Sequence, residues 1–318
     1  MDITQGSMNG LFRSFRIVYD DALQAAKPLW PTLAQDTPSG TMEQVFDWLD
    51  SIGSMEELIG EVNTERAKLL DFAIRNKEWQ KTVKVREASI LADQYGAYKP
   101  AFSALGDVAA YHPDELLSKL LVNGFADAAL DYTGTPFFAV NKPLDSAGKY
   151  KITNKTTKKL SIDNFVAART VIKSFKNSKG RAMGLGRKLQ LVVGPKNEAL
   201  GRQILIADYV QQTAQNVAKT ENVGASAVSN VNKGTAELVV WPQLAVDNED
   251  AWFLIETGFA IKPFAVQFLL KPRLVAVTNP GDSYVLLNHE FLYQAYGVYN
   301  AGYLFPQLCY GSDGSTAA

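Results

Sequence analysis

A chain of 318 residues with 47% hydrophobic and 20% charged side chains carries enough apolar material for a sizeable core, which excludes disorder along its whole length. Nothing approaches the roughly 18 uninterrupted apolar residues of a membrane span, and the start, MDITQGSMNGLFRSFR, lacks a basic stretch followed by an apolar one, so the protein is expected to stay in the cytoplasm. The single cysteine, Cys309, excludes an intrachain disulfide, and the net charge of −1 conceals three unlike segments: residues 1–148 hold 13 Lys/Arg against 21 Asp/Glu, residues 149–203 hold 14 against 2, and residues 204–318 hold 5 against 10.

In residues 1–40, Pro28, Pro31 and Pro38 break any long period, which predicts an irregular arm. Leu70, Phe72 and Ile74 then alternate with polar or small residues, and Trp79, Lys81, Val83 and Val85 alternate beyond Asn76. This pattern predicts a long β-hairpin turning near Asn76, on the order of 26 Å long at roughly 3.3 Å per residue. Arg75, Asn76, Lys77 and Trp79 are the candidate contact residues at its tip. Helical spacing follows at Phe102, Leu105 and Ala109, pauses at His112 and Pro113, and resumes with Leu117, Leu120, Leu121, Gly124 and Ala128. A long helix, kinked or restarted, is predicted, with Pro113 at a first helical position and Asp114 and Glu115 behind it at the positive end of the helix dipole.

Beyond Pro143 the elements alternate. A helix capped near Ser161 presents Phe165, Ala168, Ile172 and Phe175; a strand at 189–193 is stopped by Gly194 and Pro195; a second helix carries Leu200, Ile204 and Leu205. Residues 211–234 have almost no large apolar side chains and read as a long loop. Strands are predicted at 237–241, 252–256, 264–270, 274–278 and 284–287. Helices and strands neither alternate strictly nor separate cleanly, so the fold class is α+β.

His112 and His289 share no ligand spacing with each other or with Cys309, and the chain contains no nucleophile elbow, HExxH or phosphate loop. No catalytic residue, metal ligand or cofactor is therefore expected. Cys309, in LFPQLCYG, reads as a buried apolar filler. The candidate interaction surface is the basic segment: Lys149, Lys151, Lys155, Lys158, Lys159, Lys173, Lys176, Lys179, Arg181, Arg187 and Lys188. It could be a solvated face, meet the phosphates of a nucleic acid, or meet the acidic segments of a neighbouring copy. Stacking aromatics are sparse there (Tyr150, Phe165, Phe175), which favours contact between copies.

Four phrases, in order, resemble the Mu-like prophage major head subunit family. The first is IRNKEWQKTVKVREASILADQYGAYKPAF from Ile74, with Asn76, Lys77, Val83, Val85, Gly96, Tyr98 and Pro100; the second is Gly106, Ala109, Ala110 and HPDEL from His112. The third is WFLIETGFAIKPFAVQFLLKP from Trp252, and the fourth NAGYLFPQLCYG from Asn300. Residues 42–65 and the basic middle carry little of the family pattern. The resemblance implies the Hong Kong 97-like phage capsid fold. It would place the N-terminal arm at 1–60, the extended hairpin loop at 61–90, the peripheral domain with its spine helix at 91–130 and 256–299, and the axial domain at 131–255 and 300–318.

By the same resemblance the chain would be a major capsid protein and no enzyme. It would self-assemble into pentamers and hexamers that enclose double-stranded DNA non-specifically in the virion, with portal, scaffold and decoration proteins as partners and no membrane involved. An encapsulin-like compartment shares the fold, but the Mu-like phrases count against it. A soluble enzyme lacks its motif, and a nucleic-acid-binding module fits poorly with near-neutral overall charge.

Overall fold

The computed structural model describes residues 4–49, 69–92, 94–144, 148–177, 180–212 and 226–316. In chain order the first elements are α1 (Gln5–Ala25), α2 (Trp30–Leu33), β1 (Ala34–Pro38), β2 (Glu43–Leu49), β3 (Leu69–Arg75), β4 (Lys77–Arg86), α3 (Glu87–Leu91) and α4 (Lys99–Asn123). Short strands β5 (Lys142–Pro143), β6 (Lys151–Ile152) and β7 (Lys155–Lys158) precede α5 (Ile162–Lys173), β8 (Leu189–Val193), α6 (Glu198–Leu205), β9 (Tyr209–Gln212) and β10 (Ser226–Ser229). The remainder is β11 (Glu237–Val240), α7 (Leu244–Asp247), β12 (Trp252–Glu256), β13 (Phe264–Val277), α8 (Ser283–Asn288), β14 (Glu290–Tyr303) and β15 (Cys309–Thr316).

Two mixed sheets organise the molecule. One has the order β1-β13-β14-β4, the other β11-β8-β12-β15-β7. In the second, the runs LQLVV of β8 and WFLIE of β12 are buried throughout, as strands covered on both faces must be. Alternation then sorts their side chains. Leu191, Val193, Trp252 and Leu254 pack against Phe165 and Ile172 of α5 and Ile204 of α6. Val192, Phe253 and Ile255 face the other way, onto Phe137, Phe138 and the C-terminal half of α4, and the same cluster takes in Phe264, Val266 and Tyr303 of the four-stranded sheet. The aromatic pair Phe137–Phe138 thus lies where the two sheets meet.

The N-terminal region corrects one expectation. Residues 5–25 form a helix, not an irregular arm, opened by a capping box between Thr4 and Ser7 and burying Met8, Leu11, Phe15 and Tyr19 at helical spacing. All three prolines lie beyond its end. It packs on α4, where the ring of Phe15 stacks on Phe102 at 4.0 Å and meets Tyr293 edge-on at 5.3 Å. Close approach is permitted by Gly106, since a Cβ there would sit 2.5 Å from the Tyr19 carbonyl oxygen.

A second correction concerns the hairpin expected to turn at Asn76. β3 does not pair with β4; it pairs antiparallel with β2, from Glu43↔Arg75 to Leu49↔Leu69, while β4 pairs antiparallel with β14 from Lys77↔Tyr299 to Arg86↔Glu290. Asn76 is 2% exposed and sits where one run of strand changes partners, its N–H donating to Met42 O at 2.7 Å and its Nδ2 to Thr41 O at 2.9 Å. Arg75 and Lys77 are exposed on either side, and Trp79 turns inward, its Nε1 donating to Tyr299 O at 2.8 Å. None of the four is at a tip, because period-2 alternation identifies a strand but not its partner. Residues 50–68, which link the two paired strands, lie outside the described residues.

Three further differences are local. α4 runs unbroken through Pro113, whose cost of about 3 kcal/mol in a helix interior is offset by burial of Phe102, Leu105, Leu116, Leu117 and Leu121 along it. Residues 283–288 are a helix and not a strand, capped by Asp282 and closed by His289 in the left-handed region (φ 51°). The two strands expected at 264–270 and 274–278 are one, β13, with irregular register around Leu270 to Arg273. Within the expected loop at 211–234, β9 and β10 pair antiparallel, and residues 213–225 lie outside the described residues.

Candidate functional site

The basic segment spreads over the outer edge and loops of the five-stranded sheet, and its charges divide into matched and unmatched sets. Lys159 Nζ lies 3.5 Å from Asp250, Lys188 Nζ 3.9 Å from Glu237, and the neighbouring Lys196 2.5 Å from Glu249 and 3.0 Å from Asp250. Lys196, with Lys159 behind it, holds the Asp250 carboxyl below the usual carboxylate range. Two other cations lie over aromatic faces: Lys155 Nζ is 5.6 Å from the Phe125 ring and the Arg187 guanidinium 4.7 Å from Phe259. Part of the +12 segment is therefore answered by the acidic C-terminal flank of the same chain.

Lys149, Lys151 and Lys176 are different. With Tyr150, Thr153 and Ser174 they line a groove of about 380 Å³ between β6 and the end of α5, and among the described residues no carboxylate pairs with them. Lys149 Nζ lies 5.2 Å from the Tyr150 ring, which orients it at the groove mouth. Lys173, in the last turn of α5, meets the favourable negative end of that helix, and its stem crosses Gly186. Lys158 is exposed on β7, the edge strand, where a charge discourages pairing with a foreign strand. Arg181 is exposed beside the turn at Gly180 (φ 78°), and Lys179 lies outside the described residues.

Two buried carboxylates were not singled out in the sequence. Glu256, fully buried at the end of β12, accepts from the N–H groups of Gly186 (2.5 Å), Arg187 (2.8 Å), Lys188 (3.0 Å) and Gly258 (2.7 Å). It ties the basic loop before β8 to the sheet. Its signal is a glutamate closing an otherwise apolar run, WFLIETG. Asp131 and Lys142 form an ion pair with both side chains fully buried. Asp131 also accepts from Thr133 N (2.9 Å) and Oγ1 (2.6 Å), and Lys142 Nζ donates to Pro136 O (2.6 Å). Burial pushes the Asp131 carboxyl up and the Lys142 ammonium down, and each is pulled back by the other's charge.

The two remaining candidate chemistries are structural in their surroundings. His112 Nδ1 lies 2.8 Å from the Tyr299 hydroxyl and its ring 4.5 Å from Trp79, and burial lowers its pKa. Cys309 is buried and its thiol is pushed well above the ordinary value by burial, which suppresses the thiolate. Among the described residues no group of His, Cys, Asp or Glu has the arrangement of a metal site, and no helix is long and apolar enough to cross a membrane.

Asp114 performs a task its sequence position did not suggest. Expected at a helix start, it lies inside α4, and its carboxylate accepts from Leu29 N (3.0 Å) and Trp30 N (2.7 Å), pinning the segment after α1 onto the long helix.

The chain matches the family model described as Mu-like prophage major head subunit gpT over residues 8–159, 148–244 and 226–317. It is 23% identical over 314 residues to the major capsid protein of Escherichia phage Mu, covering 99% of this chain and 76% of that one. The Mu-like prophage FluMu major head subunit of Haemophilus influenzae is 20% identical over 317 residues, covering 100% and 76%. Among solved structures, a chain of the procapsid of bacteriophage JBD30 has a TM-score of 0.57 at 24% identity, covering 98% of this chain and 76% of that one.

Proposed function

Since this chain belongs to the Mu-like prophage major head subunit gpT family and is a phage major capsid protein with the Hong Kong 97-like fold, we propose that it assembles as pentamers and hexamers into an icosahedral head around double-stranded DNA. The observation that carries this reading is the family match across residues 8–317, which takes in both sheets and α1. The role is structural, with no catalytic step, and its place is the virion. Portal, scaffold and decoration proteins are the partners such a head requires.

On this reading the four-stranded sheet with α1 and α4 is the peripheral domain, and the five-stranded sheet with α5 and α6 the axial domain. The extended loop is better assigned to residues 43–75 than to 61–90, because β2 and β3 are the paired strands. Symmetry multiplies each contact over many copies, so individual interfaces can be weak and charge can set their specificity. Negative-stain electron microscopy of the purified protein after size exclusion tests the proposal. Closed shells, or rings of five or six, are expected at low salt; a uniform monomer at every salt concentration and protein concentration would overturn it.

A further inference from the structure

Residues 43–65 contain Glu43, Asp47, Asp50, Glu56, Glu57, Glu61 and Glu65 and no lysine or arginine. This is the most one-sided acidic stretch of the chain, and both its ends are tied into the β2–β3 pair. That pair leaves the four-stranded sheet at Asn76, and seven paired residues at roughly 3.4 Å each carry it on the order of 20 Å outward. A two-stranded ribbon is marginal alone and is stabilised by a surface to lie on.

The other half of the match is the groove of Lys149, Lys151 and Lys176. Lys159, Lys188 and Lys196 of the same segment have carboxylate partners within the chain, whereas the three groove lysines have none among the described residues. Tyr150, Ile152 and Phe175 add apolar lining, so the groove suits a chain segment carrying both carboxylates and apolar side chains, such as Glu56, Glu57, Leu58 and Ile59. Its volume of about 380 Å³ suits side chains, not a duplex.

We propose that the acidic segment 43–65 of one copy docks into the Lys149, Lys151 and Lys176 groove of the next. The inference rests on the shell reading above and names the contact within it. Because hairpin and groove are different surfaces, the contact is heterologous: repeated around an axis it closes a ring, which is the geometry a capsomer needs.

A charge swap tests it. The groove variant carries Lys149→Glu, Lys151→Glu and Lys176→Glu; the hairpin variant carries Glu56→Lys, Glu57→Lys and Glu61→Lys; a third protein carries all six. The critical concentration for assembly, read by light scattering at low salt, is expected to rise about tenfold or more in each triple variant and to return to within about threefold of the parent in the six-fold variant. Unchanged assembly in either triple variant overturns the proposal. So does failure of the six-fold variant to recover while its circular dichroism and melting match the parent, and so does a groove variant that loses only binding to a labelled DNA duplex.

Should a variant not fold, carbodiimide crosslinking of parental shells reads the same contact. Isotope-mixed copies joined between Glu56, Glu57 or Glu61 and a groove lysine support it; other intersubunit crosslinks without these overturn it. If the parental protein forms no shells at all, the shell reading itself has failed, an outcome distinct from each of these.

Discussion

Replacing Lys142 by methionine keeps most of the stem and removes the ammonium from a pair whose side chains are both fully buried. Asp131 would be left with two donors, Thr133 N and Oγ1, and the Pro136 carbonyl would lose its own. Breaking one side of a buried ion pair costs about 3–5 kcal/mol, because the remaining charge stays desolvated. Removing both charges, as Asp131→Asn with Lys142→Met, keeps an acceptor for Thr133 and should cost only about 1–2 kcal/mol, the value of the hydrogen bonds left unmade. The single variant also carries a pH signature. Without the ammonium the Asp131 carboxyl, already raised by burial, rises further, so the folded state binds a proton before the unfolded one and the deficit narrows as pH falls. Urea unfolding of dissociated subunits, followed by circular dichroism at pH 7.0 and at lower pH, measures both effects. A single-variant loss below about 1 kcal/mol, or a deficit that widens on acidification, would refute the reasoning.

Other expectations follow from particular contacts. Gly106→Ala should destabilise by about 1–3 kcal/mol despite alanine's better helix propensity, because its Cβ meets the Tyr19 carbonyl and Ala22; faster limited proteolysis within α1 would register the separation. Glu256→Gln places an amide NH₂ against backbone donors and should cost about 2–3 kcal/mol, with amide exchange at Gly186, Arg187 and Lys188 accelerated; unchanged exchange there would remove Glu256 as the tether. His112 has its folded pKa lowered from 6.5 by burial, so the unfolded state protonates first and stability falls as pH drops below about 6.5. Melting between pH 7.5 and 5.5 should show a smaller fall in His112→Gln than in the parent.

Some of this architecture was legible because local signals and burial agree. Ser161 caps α5 and Phe165, Ala168 and Ile172 are buried at the spacing expected of them, and the apolar run of β12 is a central strand. Residues 5–25 were misread because Pro28, Pro31 and Pro38 coloured the whole stretch, although the Met8, Leu11, Phe15, Tyr19 period lies ahead of them all. The hairpin was misplaced for a different reason. Val85 pairs with Phe291, and no pattern within residues 69–86 points two hundred positions ahead. The charge asymmetry was visible by counting, but which lysines are answered depends on Glu237, Glu249 and Asp250, brought up by β11 and the approach to β12. The Asp131–Lys142 pair was out of reach, since eleven positions of separation carry no sign of complete burial. The family phrases carried more than local pattern could: HPDEL contains Asp114, which fixes Leu29 and Trp30, and IKPF contains Lys262, whose Nζ donates to Pro31 O. Both phrases hold the same stretch of chain from opposite sides.

The partner exchange at Asn76 has a mechanical consequence. β3 passes directly into β4, which is held to β14 by ten successive residue pairs. A pull on the β2–β3 ribbon therefore enters β4 at Lys77 and runs along the strand axis, across the direction of its hydrogen bonds. Loaded this way the ladder is sheared and its bonds share the force, where a pull from the side would peel them one at a time. A ribbon anchored so can carry tension between copies of an expanding, pressurised container without loosening the sheet it grows from.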